Sequence, residues 1–159
     1  MRSARNAGNR GVFGDMARML EHLPHHQDSA VLILLKGHLL VEELLRGYID
    51  RTLSNPSAFD HRQFTFARIL MLCRAQTPSA ATSWGFDAAK KLNDVRNEIA
   101  HELDATELQA KLEAFVSLVE QHATDSVFPP KERGDSRIYM GISDLYNELS
   151  RALRGRRRK

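Results

Sequence analysis

The chain has 159 residues, 42% of them hydrophobic, which is enough for one domain with a buried core that needs no disulfide or metal to hold it together. Its formal net charge is only +3, and its single cysteine, Cys73 in the apolar run ARILMLCRA, excludes an intramolecular disulfide and suits a small buried hydrophobe in a reducing compartment. No apolar signal core follows the basic start MRSARNAGNRGVFGD, and the stretch VLILL with HLLVEELL is broken by Lys36, His38, Glu42 and Glu43, too polar and short for the about 20 residues that span a bilayer; a cytoplasmic protein without a membrane segment is expected.

In chain order, residues 1–14 are polar and rich in Gly, Asn and Arg, and read as a flexible basic N-terminus. A short helix through DMARMLEHL stops at Pro24. Asp28 and Ser29 can cap a second helix, in which apolar residues recur at Leu32, Leu35, Leu39, Leu44, Leu45 and Tyr48 up to the breaker pair Asn55 and Pro56. Its first half is apolar all round, which places Val31 to Leu35 in the middle of a bundle; Glu42, Glu43 and Arg46 mark a face turned to water or to a polar cleft. A third helix, from about Arg62 to Arg74, buries Phe64, Ala67, Ile69, Leu70 and Leu72 and ends before the loop QTPSAATS. Ser83 can cap a fourth, whose stripe Phe86, Ala89, Leu92, Val95, Ile99 and Leu103 steps by threes and fours. Thr106 opens a fifth, with Leu108, Leu112, Phe115, Val116 and Val119 on one side.

Beyond FPPKERGDS, helical spacing returns at Ile142, Leu145, Leu149 and Leu153, and the proline and glycine boundary makes this segment a peripheral arm that can dock on a partner as easily as on its own bundle. The organisation expected is an all-α bundle of five to six helices: the bundle over 15–125, a C-terminal helical arm over 126–153 and a basic tail over 154–159. In that tail Arg154, Arg156, Arg157, Arg158 and Lys159 suit nucleic-acid phosphates through counterion release. They equally suit a solvated, disordered terminus.

The stretch NDVRNEIAHELD carries the chemistry. Asn97 and His101 are four apart and share a helix face, and Arg96 stands about 140° round from His101 at roughly 100° per residue. A histidine accepts a proton from a ribose 2′-hydroxyl at neutral pH, and a permanently charged guanidinium stabilises the extra charge of a phosphorane, so the pair suffices for metal-free RNA cleavage by internal transesterification. Asn97 would orient either group or donate to phosphate. The same residues also fit a plain helix C-terminus, with His101 capping carbonyls and Arg96 paired to Glu98 or a neighbour.

His38 and Glu42, at i and i+4, form either a polar patch on the central helix that contacts His101 or a satisfied core histidine. His22, His25 and His26 in HLPHH are interrupted by Pro24 and lack completing ligands, so no metal site is expected there. Trp84, Phe64 and Phe66 read as packing anchors rather than base-stacking platforms. No phosphate-binding glycine loop or nucleophile elbow occurs.

RNEIAH resembles the Arg-polar-x-x-x-His signature of the HEPN superfamily, and the succession SAVLILLKGHLLVEELLRGYID, FTFARILMLCRA, LNDVRNEIAHELD is similar in order and spacing to its mannitol-repressor-like (MtlR-like) branch, over about Ser29 to Asp104. The resemblance implies a HEPN-like bundle, usually dimeric, with a metal-independent endoribonuclease site that needs no cofactor. It puts Arg96, Asn97 and His101 at the catalytic positions and Glu42 or Glu43 opposite them. It also implies a toxin or phage-defence role, RNA as substrate, and an antitoxin or regulatory protein as partner. HepT toxins of the superfamily carry a modifiable tyrosine two residues after the histidine, where this chain has Leu103. Members of the MtlR-like branch include regulators that act by binding, so a non-catalytic interaction module is the alternative.

Overall fold

A computed structural model describes residues 14, 17–19, 30–77, 83–101, 105–123 and 137–154. Among these residues the protein is all helical. Five long helices, α1 (Ala30–Thr52), α2 (Phe66–Gln76), α3 (Ser83–His101), α4 (Ala105–His122) and α5 (Arg137–Arg154), are joined by two 3-10 turns, Pro56–Ala58 and His61–Gln63, between α1 and α2. Residues 17–19 of the expected first helix are helical as well. The stop at Pro24, the caps Asp28 and Ser29, the HLPHH histidines, Leu103 and the tail from Arg156 onward lie outside the described residues.

The helix α3 is the hub, since it packs against α1, α2, α4 and α5. Its stripe is the one the spacing predicts: Phe86, Ala89, Leu92 and Val95 are buried, and Ile99 packs against the core from its edge. On α4 the buried residues are Phe115, Val116 and Val119, again the expected side. Glu98 of α3 is itself buried and accepts a 2.5 Å hydrogen bond from Lys111 Nζ on α4, so the carboxylate inside RNEIAH ties two helices together and does not serve Arg96.

Three expectations are corrected. The C-terminal segment is no peripheral arm: on α5, Ile142, Leu145 and Leu149 are fully buried, packed against α1, α3 and α4. Two features seat it. Arg137 donates to both Glu113 and Glu120 of α4 at 2.9–3.2 Å, which pins the start of the helix. Gly37 of α1 then leaves room for Ile142, because a Cβ at that position would stand 2.6 Å from Ile142 Cδ1.

That close approach also explains the second correction. With α1 apolar all round, sequence spacing does not choose its inner face; the Gly37 seat does, turning Ile33, Leu34, Gly37, Val41 and Leu45 inward. Leu32 and Leu39, expected on the buried stripe, are 41% and 62% exposed, and Val31 is 41% exposed.

The third concerns α2, which starts at Phe66 rather than near Arg62. The Asp60 carboxylate accepts from Arg62 N at 3.1 Å and caps a separate 3-10 turn, while Phe64, in extended backbone, stacks on Phe59 with ring centres 4.4 Å apart. Cys73 is buried as expected; its thiol donates to the Leu45 carbonyl at 3.4 Å and burial pushes its pKa up to about 12, so it is no nucleophile.

The Gly37 seat generates a quantitative test. Gly37→Ala gains helix propensity but overlaps a buried β-branched side chain, so chemical denaturation should show a net loss of about 1–3 kcal/mol. In an Ile142→Ala background the same change should cost far less, because the two side chains then share the space. Additive losses in that cycle would mean the two helices do not meet here.

Candidate functional site

Two rows of polar side chains face each other across a cleft of about 660 Å³. On α1 the row is His38, Glu42 and Arg46, each four residues from the next and therefore on one helix face. On α3 the cleft-lining residues are Asn93, Arg96 and Asn97, and Thr65, Phe66 and Ala67 at the start of α2 close one end. Leu35 and Leu39 supply apolar wall. These helices stand in this order because the buried stripe of α3, one step away from Asn93 and Asn97, packs on the same core as the inner face of α1.

The α1 row is internally braced. Arg46 donates from Nε and Nη2 to Glu42 Oε1 at 2.9 and 2.6 Å, and its remaining donors reach the carbonyls of His61 (2.8 Å) and Phe64 (3.0 Å). The arginine thus fixes the α1–α2 connection and Glu42 at once, as a planar fork of donors can. Glu42 Oε2 lies 3.9 Å from His38 Nδ1. His38 is only 4% exposed, stacks on Phe66 with ring centres 4.3 Å apart, and donates from Nε2 to Asn93 Oδ1 at 3.1 Å. Its pKa is lowered from the ordinary value, by burial first and by the nearby Arg96 charge last; the Asn93 hydrogen bond and Glu42 oppose the shift.

Of the residues expected at the site, Arg96, Asn97 and Glu42 come together on this cleft. Arg96 is exposed, and its Nη1 donates to Asn97 Oδ1 at 3.3 Å, so its charge meets a neutral partner and can take an anion. Glu43 does not join them. It lies on the neighbouring face of α1, pairs with Arg18, and lines a separate depression with Lys36 and Leu40 that borders the cleft at Leu39. His101 is exposed in the last turn of α3 and is not among the cleft-lining residues, although it continues the face of Asn93 and Asn97. Arg154 ends α5, and the other tail cations lie outside the described residues.

Sequence reasoning missed Asn93. The signal was present: Asn93, Asn97 and His101 step by four, as do His38, Glu42 and Arg46, and each row runs beside an apolar stripe of its helix. Among the described residues no group of three or more His, Cys, Asp or Glu side chains is placed to hold a metal ion, and no helix is long and apolar enough to cross a membrane.

The lowered pKa of His38 gives stability a defined pH dependence. The folded chain holds this histidine neutral below the ordinary 6.5, so the unfolded chain binds the proton first. The associated stability is complete above about pH 6.5 and falls as the pH drops from there toward the folded-state pKa. Thermal melts between pH 7.5 and 5 should show a declining Tm in the wild type and a flatter profile in His38→Gln; equal slopes would show that His38 is not held neutral. No protein-family model, curated protein or solved structure matches the chain, so its function is read from the chemistry of this site.

Proposed function

We propose that the protein is a metal-independent endoribonuclease of HEPN type that acts as a homodimer. The observation that carries the reading is that Arg96 and Asn97, the first half of the motif RNEIAH, line one cleft with Glu42. In the reaction a base removes the proton of a 2′-hydroxyl, the 2′-oxygen attacks the adjacent phosphorus, and the bond from phosphorus to the 5′-oxygen breaks as that oxygen takes a proton. The products are a 2′,3′-cyclic phosphate and a 5′-hydroxyl. Arg96 stabilises the charge that builds on the phosphoryl oxygens, Asn97 holds Arg96 in place, and His101 transfers protons.

One histidine serves one of the two proton transfers, and a two-fold dimer supplies both. Support for self-association comes from α1 and α2, where Val31, Leu32, Leu39 and Met71 are 41–64% exposed, Leu39 at the cleft itself. Large apolar side chains left exposed are available to a partner surface. The exposed position of His101, one turn beyond Asn97, suits a site completed by a second copy. A toxin or phage-defence role, with an antitoxin as partner, follows from the resemblance of RNEIAH alone. The same exposed apolar residues favour the second reading, a non-catalytic regulatory module of the MtlR-like kind.

Cleavage of a 5′-labelled mixed-sequence RNA in EDTA tests the first reading. Wild-type protein should cut and leave cyclic-phosphate ends, with His101→Ala and Arg96→Ala each reduced by at least about a hundredfold while remaining folded. Cleavage that survives both substitutions, or none from folded dimeric protein, would favour the regulatory module. Light scattering should give twice the 18.0 kDa chain mass for the wild type and a monomer for Leu32→Lys, with cleavage lost in parallel.

A further inference from the structure

The α1 wall of the cleft presents two lone-pair acceptors to each other. His38 Nε2 donates to a carbonyl oxygen, Asn93 Oδ1, so in the neutral ring the proton sits on Nε2 and Nδ1 keeps its lone pair. Across from Nδ1, at 3.9 Å, is Glu42 Oε2, the carboxylate oxygen that Arg46 leaves open because both of its hydrogen bonds go to Oε1. The separation exceeds a hydrogen bond. What complements such a pair is a donor that sits beside both atoms.

The opposite wall asks for the reverse. Arg96 and Asn97 offer donors, and of the two cleft arginines Arg96 is the one whose side-chain partner is neutral. A ligand that fits must therefore join a hydroxyl donor to an anion a few ångströms away, with an apolar body for Leu35, Leu39 and the Phe66 ring. A ribonucleotide has this form, its base supplying the apolar faces, and a cleft of about 660 Å³ is of the size that holds one such unit.

We infer that His38 Nδ1 and Glu42 Oε2 form a ribose-selecting pair: in the bound state the 2′-hydroxyl of a nucleotide whose phosphate rests on Arg96 and Asn97 points its single hydrogen at this pair, and it turns to the proton-transferring histidine only on cleavage. The inference takes its ligand class from the proposed action on RNA. It assigns discrimination against DNA to α1, outside the motif RNEIAH, since the 2′-hydroxyl is the group that distinguishes the two polymers at a single site. Phe66 and Asn93 act as positioning residues, holding the ring with Nε2 on Asn93 and Nδ1 toward Glu42.

The test uses full-length His101→Ala protein and two probes that differ by one oxygen, uridine 3′-monophosphate and 2′-deoxyuridine 3′-monophosphate, titrated by NMR. The ribonucleotide should bind about tenfold more tightly, the effect of one hydrogen bond. Glu42→Gln and His38→Gln should bring that ratio to within about twofold with little change for the deoxynucleotide. Because substitution of a buried histidine can unfold the protein, the 15N spectrum of His38 gives an independent readout: an Nε2-protonated neutral ring whose Nδ1 resonance moves with the ribonucleotide and not with the deoxynucleotide. Equal affinities, no binding of either probe at millimolar concentration, or a ribose preference that survives both substitutions would overturn the inference, whatever the cleavage assay gives. Ribose preference lost in the variants of a protein that does not cut RNA would uphold the pair and remove only the catalytic reading.

Discussion

The burial of one face of α3 governs the rest of the structure. Leu92 and Val95 are completely enclosed, and α3 is in contact with all four other long helices. Once that face is committed to the core, the 3.6-residue period leaves Asn93, Arg96 and Asn97 on the edge toward α1. Each of the large side chains on this stripe contributes on the order of 1.5–3 kcal/mol through burial, so the polar edge cannot roll away without exposing the core. Arg96 and Asn97 are thus positioned by the apolar residues between and beside them. The facing edge of α1 is set in the same way, through the contact of Gly37 with Ile142, which turns His38, Glu42 and Arg46 to the cleft.

Charge is distributed over this site with a clear division of labour. Arg46 neutralises one oxygen of Glu42 and is used up in doing so, because its other donors cap the carbonyls of His61 and Phe64. Burial keeps His38 neutral. Glu98, the acid inside the motif, is drawn off by Lys111 on the far side of α3. Among the described residues Arg96 therefore faces the cleft with a neutral side chain, Asn97, as its hydrogen-bond partner and no carboxylate bonded to it, which leaves its charge to attract an anion.

The all-helical fold was legible wherever a helix has one apolar face. On α3 and α4 the spacing picks out Phe86, Leu92, Val95, Phe115 and Val119, and these residues form the core. On α1 it does not, because hydrophobic residues surround the first half and only a tertiary contact, Ile142 on Gly37, selects the inner side. The period of α5 was equally visible, but its place in the bundle depends on Arg137 bridging Glu113 and Glu120, a link between segments that spacing within one segment cannot reveal. At the site, Arg96 and Asn97 were named from the motif, and the choice between Glu42 and Glu43 had to await the roll of α1. His38 and Asn93 illustrate the remaining gap: 55 positions apart in the chain, they become a hydrogen-bonded pair only when α1 and α3 pack.

The central claim is that the groove between α1 and α3 is where this protein meets its ligand. Chemical-shift mapping of a short single-stranded RNA on 15N-labelled, full-length His101→Ala protein addresses it most directly. Perturbations should concentrate at residues 38, 42, 93, 96 and 97, where the two polar rows face each other. Perturbations confined to the basic residues 154–159, or spread evenly over exposed cations with the cleft silent, would contradict it and assign RNA contact to non-specific charge attraction.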